Sequence, residues 1–586
     1  MLKNKGSSTL KHSVKSSIRK SNNSKINPNI KKLIKDNNKD RAAQIKKERN
    51  YSTIAISRKF DPFTKLENVI IILIDSKLKC WFRENTNLQT AYAPTPRFSS
   101  NELINYVDKF VSLVSEGEDY FKELVQFLNN ELKDVIFQSK ELLKNGQMTF
   151  DMLWCLFQNE TDCYTKVEDK LSAGTIESTG YESSFFGQNF IIKVKQIQAD
   201  GKGFIIIYTK FFIREFKGVV PIDSLSVKPL DIKTKEYLIE RGKKYQKYGI
   251  GPNYVQCCGN MMVKDYWKNI LFRSNGRIMI DISTFDKRNP DYPNMRDMDS
   301  SDNAFTTIKE DKLHITVPYI KGFSFPLKKW GEFAIDDLDE IEFNDNAFDT
   351  LVLDQEKKDI ISALVTNSDV GFTDIIKGKS GGCIFLLHGP PGVGKTLTSE
   401  AIAETMRVPL YSVSVGELGI NPAELEDKLR NILDIASTWK AQILIDEADI
   451  FLERRNEHDI IRNAMVGVFL RLLEYHQGVM FLTTNRVKNI DEAFYSRISV
   501  ALHYTALSLS DKAKIWTNLL VCAGVTGMDI KKLATYDING RQIKTTIRLA
   551  QALAKAKNET ISMTHIVSTI KLQEEFVTGM KEKTHG

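Results

Sequence analysis

At 586 residues the chain exceeds what one hydrophobic core serves, and its 42% hydrophobic and 27% charged content is that of an ordinary soluble protein, with no apolar run long enough to span a bilayer. Seven scattered cysteines and eight dispersed histidines give no disulfide framework, no CxxC pair and no zinc pattern, so a reducing intracellular compartment is expected, cytoplasm or nucleus first. The net charge of +8 is uneven: residues 1–60 hold 17 Lys/Arg against three acids, a net of +14, which leaves −6 for the rest.

That first stretch, 1–60, is rich in Lys, Ser and Asn, so it reads as a disordered basic tail, and nucleic acid is one partner its charge suits. It favours Lys over Arg, which places mitochondrial import behind the other compartments. Residues 61–148 read as a strand, Val69 to Ile74, then helix over 101–145, where Leu103, Val107, Phe110, Val114, Phe121, Leu124 and Leu128 recur at three- and four-residue steps. Gly117 divides the helical stretch. Residues 149–335 read as a β-rich domain, with short apolar runs at 191–194, 204–208 and 211–216 and an Asn-Gly hairpin signal at Asn275-Gly276. From 336 to 505 strand and helix alternate, the pattern of a parallel α/β sheet. Residues 506–586 return to helix, a small lid with Trp516, Leu520, Ile543 and Ile547 inward.

Within the α/β segment the apolar run Cys383 to Leu387 leads into Gly389-Pro390-Pro391-Gly392-Val393-Gly394-Lys395-Thr396, and the stretch from Leu397 has helical composition. A glycine-rich turn between strand and helix can point its backbone N–H groups at a phosphate, with the helix dipole behind them. Lys395 then neutralises the β/γ-phosphates and Thr396 offers a hydroxyl to Mg²⁺. A second apolar strand, 443–445, ends in Asp446 and Glu447, 51 residues after Lys395. Asp446 is expected to hold the Mg²⁺ shell and Glu447 to polarise the attacking water. Ile71 to Asp75 resembles this strand but lacks the second acid. A third apolar strand carries Asn485 at its tip, Arg497 follows twelve residues later, and Arg541 opens a lid helix.

In this order and spacing the segment 348–560 resembles the ATPase module of the AAA+ family. Gly389 to Thr396 match its Walker A motif, Ile443 to Glu447 Walker B, Asn485 sensor 1, Arg497 the arginine finger and Arg541 sensor 2. The wording around the motifs is similar to a fungal branch of AAA-type ATPases in which an uncharacterised N-terminal domain precedes the motor. The resemblance implies an α/β P-loop NTPase core with a helical lid, ATP and Mg²⁺ as ligands, ATP hydrolysis, and a homo-oligomeric, hexameric ring in which Arg497 reaches the neighbour's nucleotide. It also implies that Asp374 and Ile375 contact adenine. Two departures stand out: Ser496 replaces the first of the usual two arginines, and Leu418 to Glu424 lacks the aromatic paddle of peptide-threading relatives. The leading expectation is therefore an ATPase that remodels a protein client held by the N-terminal domain. The alternatives are a nucleotide-gated scaffold with slow turnover, or a nucleic-acid-associated ATPase acting through residues 1–60.

Overall fold

The computed structural model describes residues 51–583 apart from 61–66, 87–88, 100–102, 104–105, 185–186, 266–267, 294–303, 367–381, 456–458, 475 and 487–489. Most of the basic tail, and the adenine candidates Asp374 and Ile375, lie outside the described residues. The chain divides into two compact units, one of residues 1–158, 180–190 and 214–225, the other of 159–179, 191–213 and 226–586.

The first unit begins with a three-stranded antiparallel sheet, Ile54–Phe60, Glu67–Leu73 and Arg97–Ser99. The first of these strands corrects the reading of 1–60 as tail throughout, because Ile54 is buried and Ile56 packs on the core despite the basic neighbours. Asp75 caps helix Ser76–Asn85, accepting from the backbone N–H of Lys77 at 2.7 Å and Leu78 at 3.0 Å. The strand that imitates Walker B thus ends in a helix cap. Helices Val107–Ser115 and Lys122–Lys144 part around Gly117, whose φ is +104, and Phe82, Phe98, Phe110 and Phe121 fill the core between sheet and helices.

A five-stranded sheet, most of whose residues belong to the second unit, runs in the order Val227–Pro229, Asp162–Val167, Lys170–Ser184, Gly187–Ala199, Phe204–Arg214. Helix Ile232–Tyr248 follows, and its buried Arg241 donates to the carbonyls of Leu171 and Thr316. Strands Asn253–Lys264, Asn269–Ile280, Tyr319–Ser324 and Lys329–Ala334 then pair antiparallel in sequence, and the last returns to the first through Phe333 opposite Met261, so the four close into a small barrel. Asn275-Gly276 is not a turn, contrary to the expectation: both lie inside strand Asn269–Ile280, opposite Cys258 and Cys257. The hairpin closes instead at Asp265 and Lys268, joined by a 3.0 Å backbone bond. Gly276 answers a different need, since a Cβ there would stand 2.8 Å from Pro326.

The α/β segment holds five parallel strands, β1 (Cys383–His388), β2 (Leu410–Ser414), β3 (Gln442–Asp446), β4 (Val479–Thr484) and β5 (Val500–His503), in the order β2-β3-β4-β1-β5. Strand β1 is flanked by β4 and β5, so the connections leaving its C-terminal end diverge and open a crevice there. Helices α1 (Lys395–Thr405), α2 (Pro422–Trp439) and α3 (Ile460–Leu473) cover the sheet. Beyond it α4 (Leu509–Cys522), α5 (Ile530–Ala534), α6 (Gly540–Ala556) and α7 (Met563–Lys583) pack around Trp516, Ile543 and Ile566, each fully buried. The barrel shares a core with the sheet: Phe323 stacks on Tyr411 with centroids 5.6 Å apart, and Trp439 Nε1 donates to Asp281 Oδ2 at 2.8 Å.

Candidate functional site

Strand β1 ends at His388 and the chain turns through Gly389 to Gly394 into α1. A Cβ on Gly389 would stand 2.2 Å from the carbonyl oxygen of Tyr504, and one on Gly392, whose φ is +76, would stand 2.5 Å from the Asn539 side chain. Glycine is required at both for close approach, and at Gly392 for backbone angle as well. Gly540 N donates to Gly392 O at 3.0 Å, which brings the first turn of α6 onto the loop. Pro390, Pro391 and Val393 complete the turn, and Leu397 on α1 is 54% exposed.

Lys395 is 8% exposed and its ammonium donates to Gly389 O at 2.8 Å, Pro390 O at 2.7 Å and Asn485 Oδ1 at 2.8 Å. Burial pulls its pKa down, Asp446, Asp449 and Glu447 oppose that, and Arg541, second residue of α6, adds to it. Thr396 Oγ1 donates to Asp446 Oδ1 at 3.1 Å, a bond that joins the start of α1 to the tip of β3. Glu447 follows with φ +56, left-handed backbone for a residue with a side chain, and its N–H donates to Thr483 Oγ1 at 3.0 Å.

The site therefore gathers Lys395, Thr396, Asp446, Glu447 and Asn485 at neighbouring tips of β1, β3 and β4, with Arg541 close by. Arg497 is not brought there. Its guanidinium pairs with Glu474 and donates to Ala493 O at 2.8 Å and Leu470 O at 3.2 Å. Three residues that sequence reasoning passed over belong to the cluster: Thr483, Thr484 and Asp449. Their signal was present, two polar residues ending an apolar strand and a third acid three positions after Asp446.

The arrangement suits a metal-bound polyphosphate. A Cβ on Gly394 would meet nothing within 4 Å, so space is open at the N-terminus of the eleven-residue α1. The hydroxyl of Thr396 and the carboxylate of Asp446 are the hard oxygen donors that Mg²⁺ prefers.

Comparison with known proteins decides the family. Residues 385–505 match the model of the ATPase family associated with various cellular activities, AAA, and residues 138–234 match a domain of unknown function, DUF7025. Residues 385–505 are thus an AAA ATPase domain. Among its relatives, the human ATPase family AAA domain-containing protein 3B is 27% identical over 179 residues, covering 29% of this chain and 28% of that protein. The FIGL1 AAA protein of Arabidopsis thaliana is 32% identical over 157 residues, 25% of this chain and 23% of its own length. A mitochondrial AAA-ATPase of the same plant is 30% identical over 175 residues, 27% of this chain and 37% of its own. The chain thus matches well under half the length of each. The AAA match runs from within β1 through β5 and so takes in the tips of β1, β3 and β4 that carry the cluster, and an AAA domain implies ATP binding. Among the described residues no helix is long and apolar enough to cross a membrane.

Proposed function

We propose that this chain binds ATP with Mg²⁺ at the tips of β1, β3 and β4 and hydrolyses it, as a ring-forming AAA+ motor that remodels a protein client held by its N-terminal region. The observation that carries the reading is the convergence of Lys395 on Asn485 at 2.8 Å and of Thr396 on Asp446 at 3.1 Å. In this reading Lys395 exchanges its carbonyl and amide acceptors for phosphate oxygens, and the backbone of Gly392 to Thr396 encloses them. Thr396 and Asp446 hold Mg²⁺, which when bound offsets charge on the β- and γ-phosphates. Glu447 takes the proton of the attacking water, and Asn485 orients that water. The γ-phosphoryl group passes to the water oxygen and ADP leaves. Arg541 approaches from the lid side, and Arg497 serves the nucleotide of an adjacent subunit, where arginine fingers contribute roughly 10³ to 10⁵ in rate.

The test is phosphate release from ATP by the full chain. Release is expected to require Mg²⁺, and Lys395→Ala is expected to lose ATP affinity by about a hundredfold or more in a fluorescent-ATP titration. Unchanged affinity in that variant rejects the loop as the phosphate site.

A further inference from the structure

Two consecutive threonines end β4, 2% and 0% exposed, and their hydroxyls tie two different residues of the site. Thr483 Oγ1 donates to Asp446 Oδ1 and accepts from the N–H of Glu447 at 3.0 Å. Thr484 Oγ1 donates to Asp449 Oδ1 and accepts from the N–H of Arg486 at 3.0 Å. The same Asp449 oxygen receives the N–H of Asn485 at 3.3 Å. A third link is pure backbone: Ala448 N donates to Thr483 O at 2.9 Å. The tip of β4 and the turn after β3 are thereby clipped together on both sides of Asn485 and Glu447.

Resting on the ATPase reading above, we infer that Thr483, Thr484 and Asp449 are positioning residues for the hydrolytic step. Thr483 fixes the backbone of Glu447, and Thr484 with Asp449 fixes that of Asn485, so that carboxylate and amide address one water. Two features support this over plain structural packing. Glu447 sits in left-handed backbone, φ +56, a conformation that persists only where surroundings hold it. Each hydroxyl bonds the residue beside a reacting group, and it does so from a threonine that is itself buried. An amide or carboxylate displaced by about 1 Å loses most of its effect on a water it must orient.

Thr→Val removes each hydroxyl while keeping the side-chain shape. In the full chain, Thr483→Val and Thr484→Val are expected to lower kcat about tenfold or more while fluorescent-ATP Kd stays within about twofold. Thr→Ser at either position is expected to restore kcat to within about threefold of wild type. In a double-mutant cycle, Thr484→Val is expected to add nothing to the loss caused by Asn485→Ala, because it acts through that amide. Asp449→Asn, which keeps an oxygen acceptor, should behave like the serine variants. Wild-type kcat in both valine variants overturns the inference. So does Kd weakening in step with kcat, or a Thr484→Val loss that multiplies on the Asn485→Ala background. If wild type itself releases no phosphate, the ATPase reading fails and the inference falls with it. If wild type turns over and the valine variants match it, the inference alone falls.

Discussion

Lys395 shows how the site is built at the residue scale, for its ammonium is held by three acceptors that a phosphate can replace at similar distance. Gly389 to Thr396, Asp446 and Glu447 were legible in the sequence because each motif is contiguous and the residue types are dictated by the chemistry. Thr483, Thr484 and Asp449 were visible as a polar strand tip and a third acid but not as a connected set, since their hydrogen bonds cross from one strand tip to the turn after another. His476, just ahead of β4, carries a pH dependence of its own. It is 2% exposed, its Nε2 has no hydrogen-bond partner among the described residues, and burial lowers its pKa to about 4. The folded chain thus keeps this ring neutral, while the unfolded chain protonates it near pH 6.5. Stability is full above that value and falls as pH drops toward about 4, by about 2 kcal/mol between pH 7 and pH 5 from this group. Urea midpoints at the two pH values should converge in His476→Gln relative to wild type; an unchanged pH dependence in the variant assigns the loss elsewhere.

At the scale of elements, strands β1, β3 and β4 were readable because each is a short apolar run with a polar tip, whereas Leu410–Ser414 and Val500–His503 carry no such run. The barrel was not, since Asn275-Gly276 carries the composition of a turn and occupies the middle of a strand. There tertiary contact decides: Gly276 faces Pro326, and pairing with Asn253–Lys264 overrides the local turn preference. Strand Ile54–Phe60 was hidden for another reason: Arg58 and Lys59 continue the basic run that precedes its short apolar start. The join between loop and α6 yields a prediction. Gly392→Ala places a Cβ 2.5 Å from Asn539 in a backbone of φ +76, which costs about 1–2 kcal/mol before any clash is relieved. ATP affinity is expected to fall at least tenfold by titration, roughly the 1.4 kcal/mol per decade relation. Full affinity in Gly392→Ala means the loop and α6 separate freely.

For the molecule as a whole, the second unit packs barrel and AAA domain on one apolar core, through Phe323, Tyr411 and Trp439, reinforced by Arg277 pairing with Glu404 of α1 at 2.6 Å. Composition alone does not show this shared core, because aromatic contact between distant segments has no periodicity to betray it. The compact units divide near 158, with 180–190 and 214–225 assigned to the first. Arg497 belongs to the same scale, since in a single chain it pairs with Glu474 and not with the phosphate loop. If it serves a neighbouring subunit, mixing Arg497→Ala chains into wild type should depress turnover more than dilution does. Loss in strict proportion to the mutant fraction contradicts a shared site. In the proposed function the acid doublet at the end of β3 governs hydrolysis of an ATP bound beside β1. Following bound ATP and released phosphate together in Glu447→Gln should show ATP retained at wild-type affinity with phosphate release abolished; turnover equal to wild type overturns the assignment of the doublet.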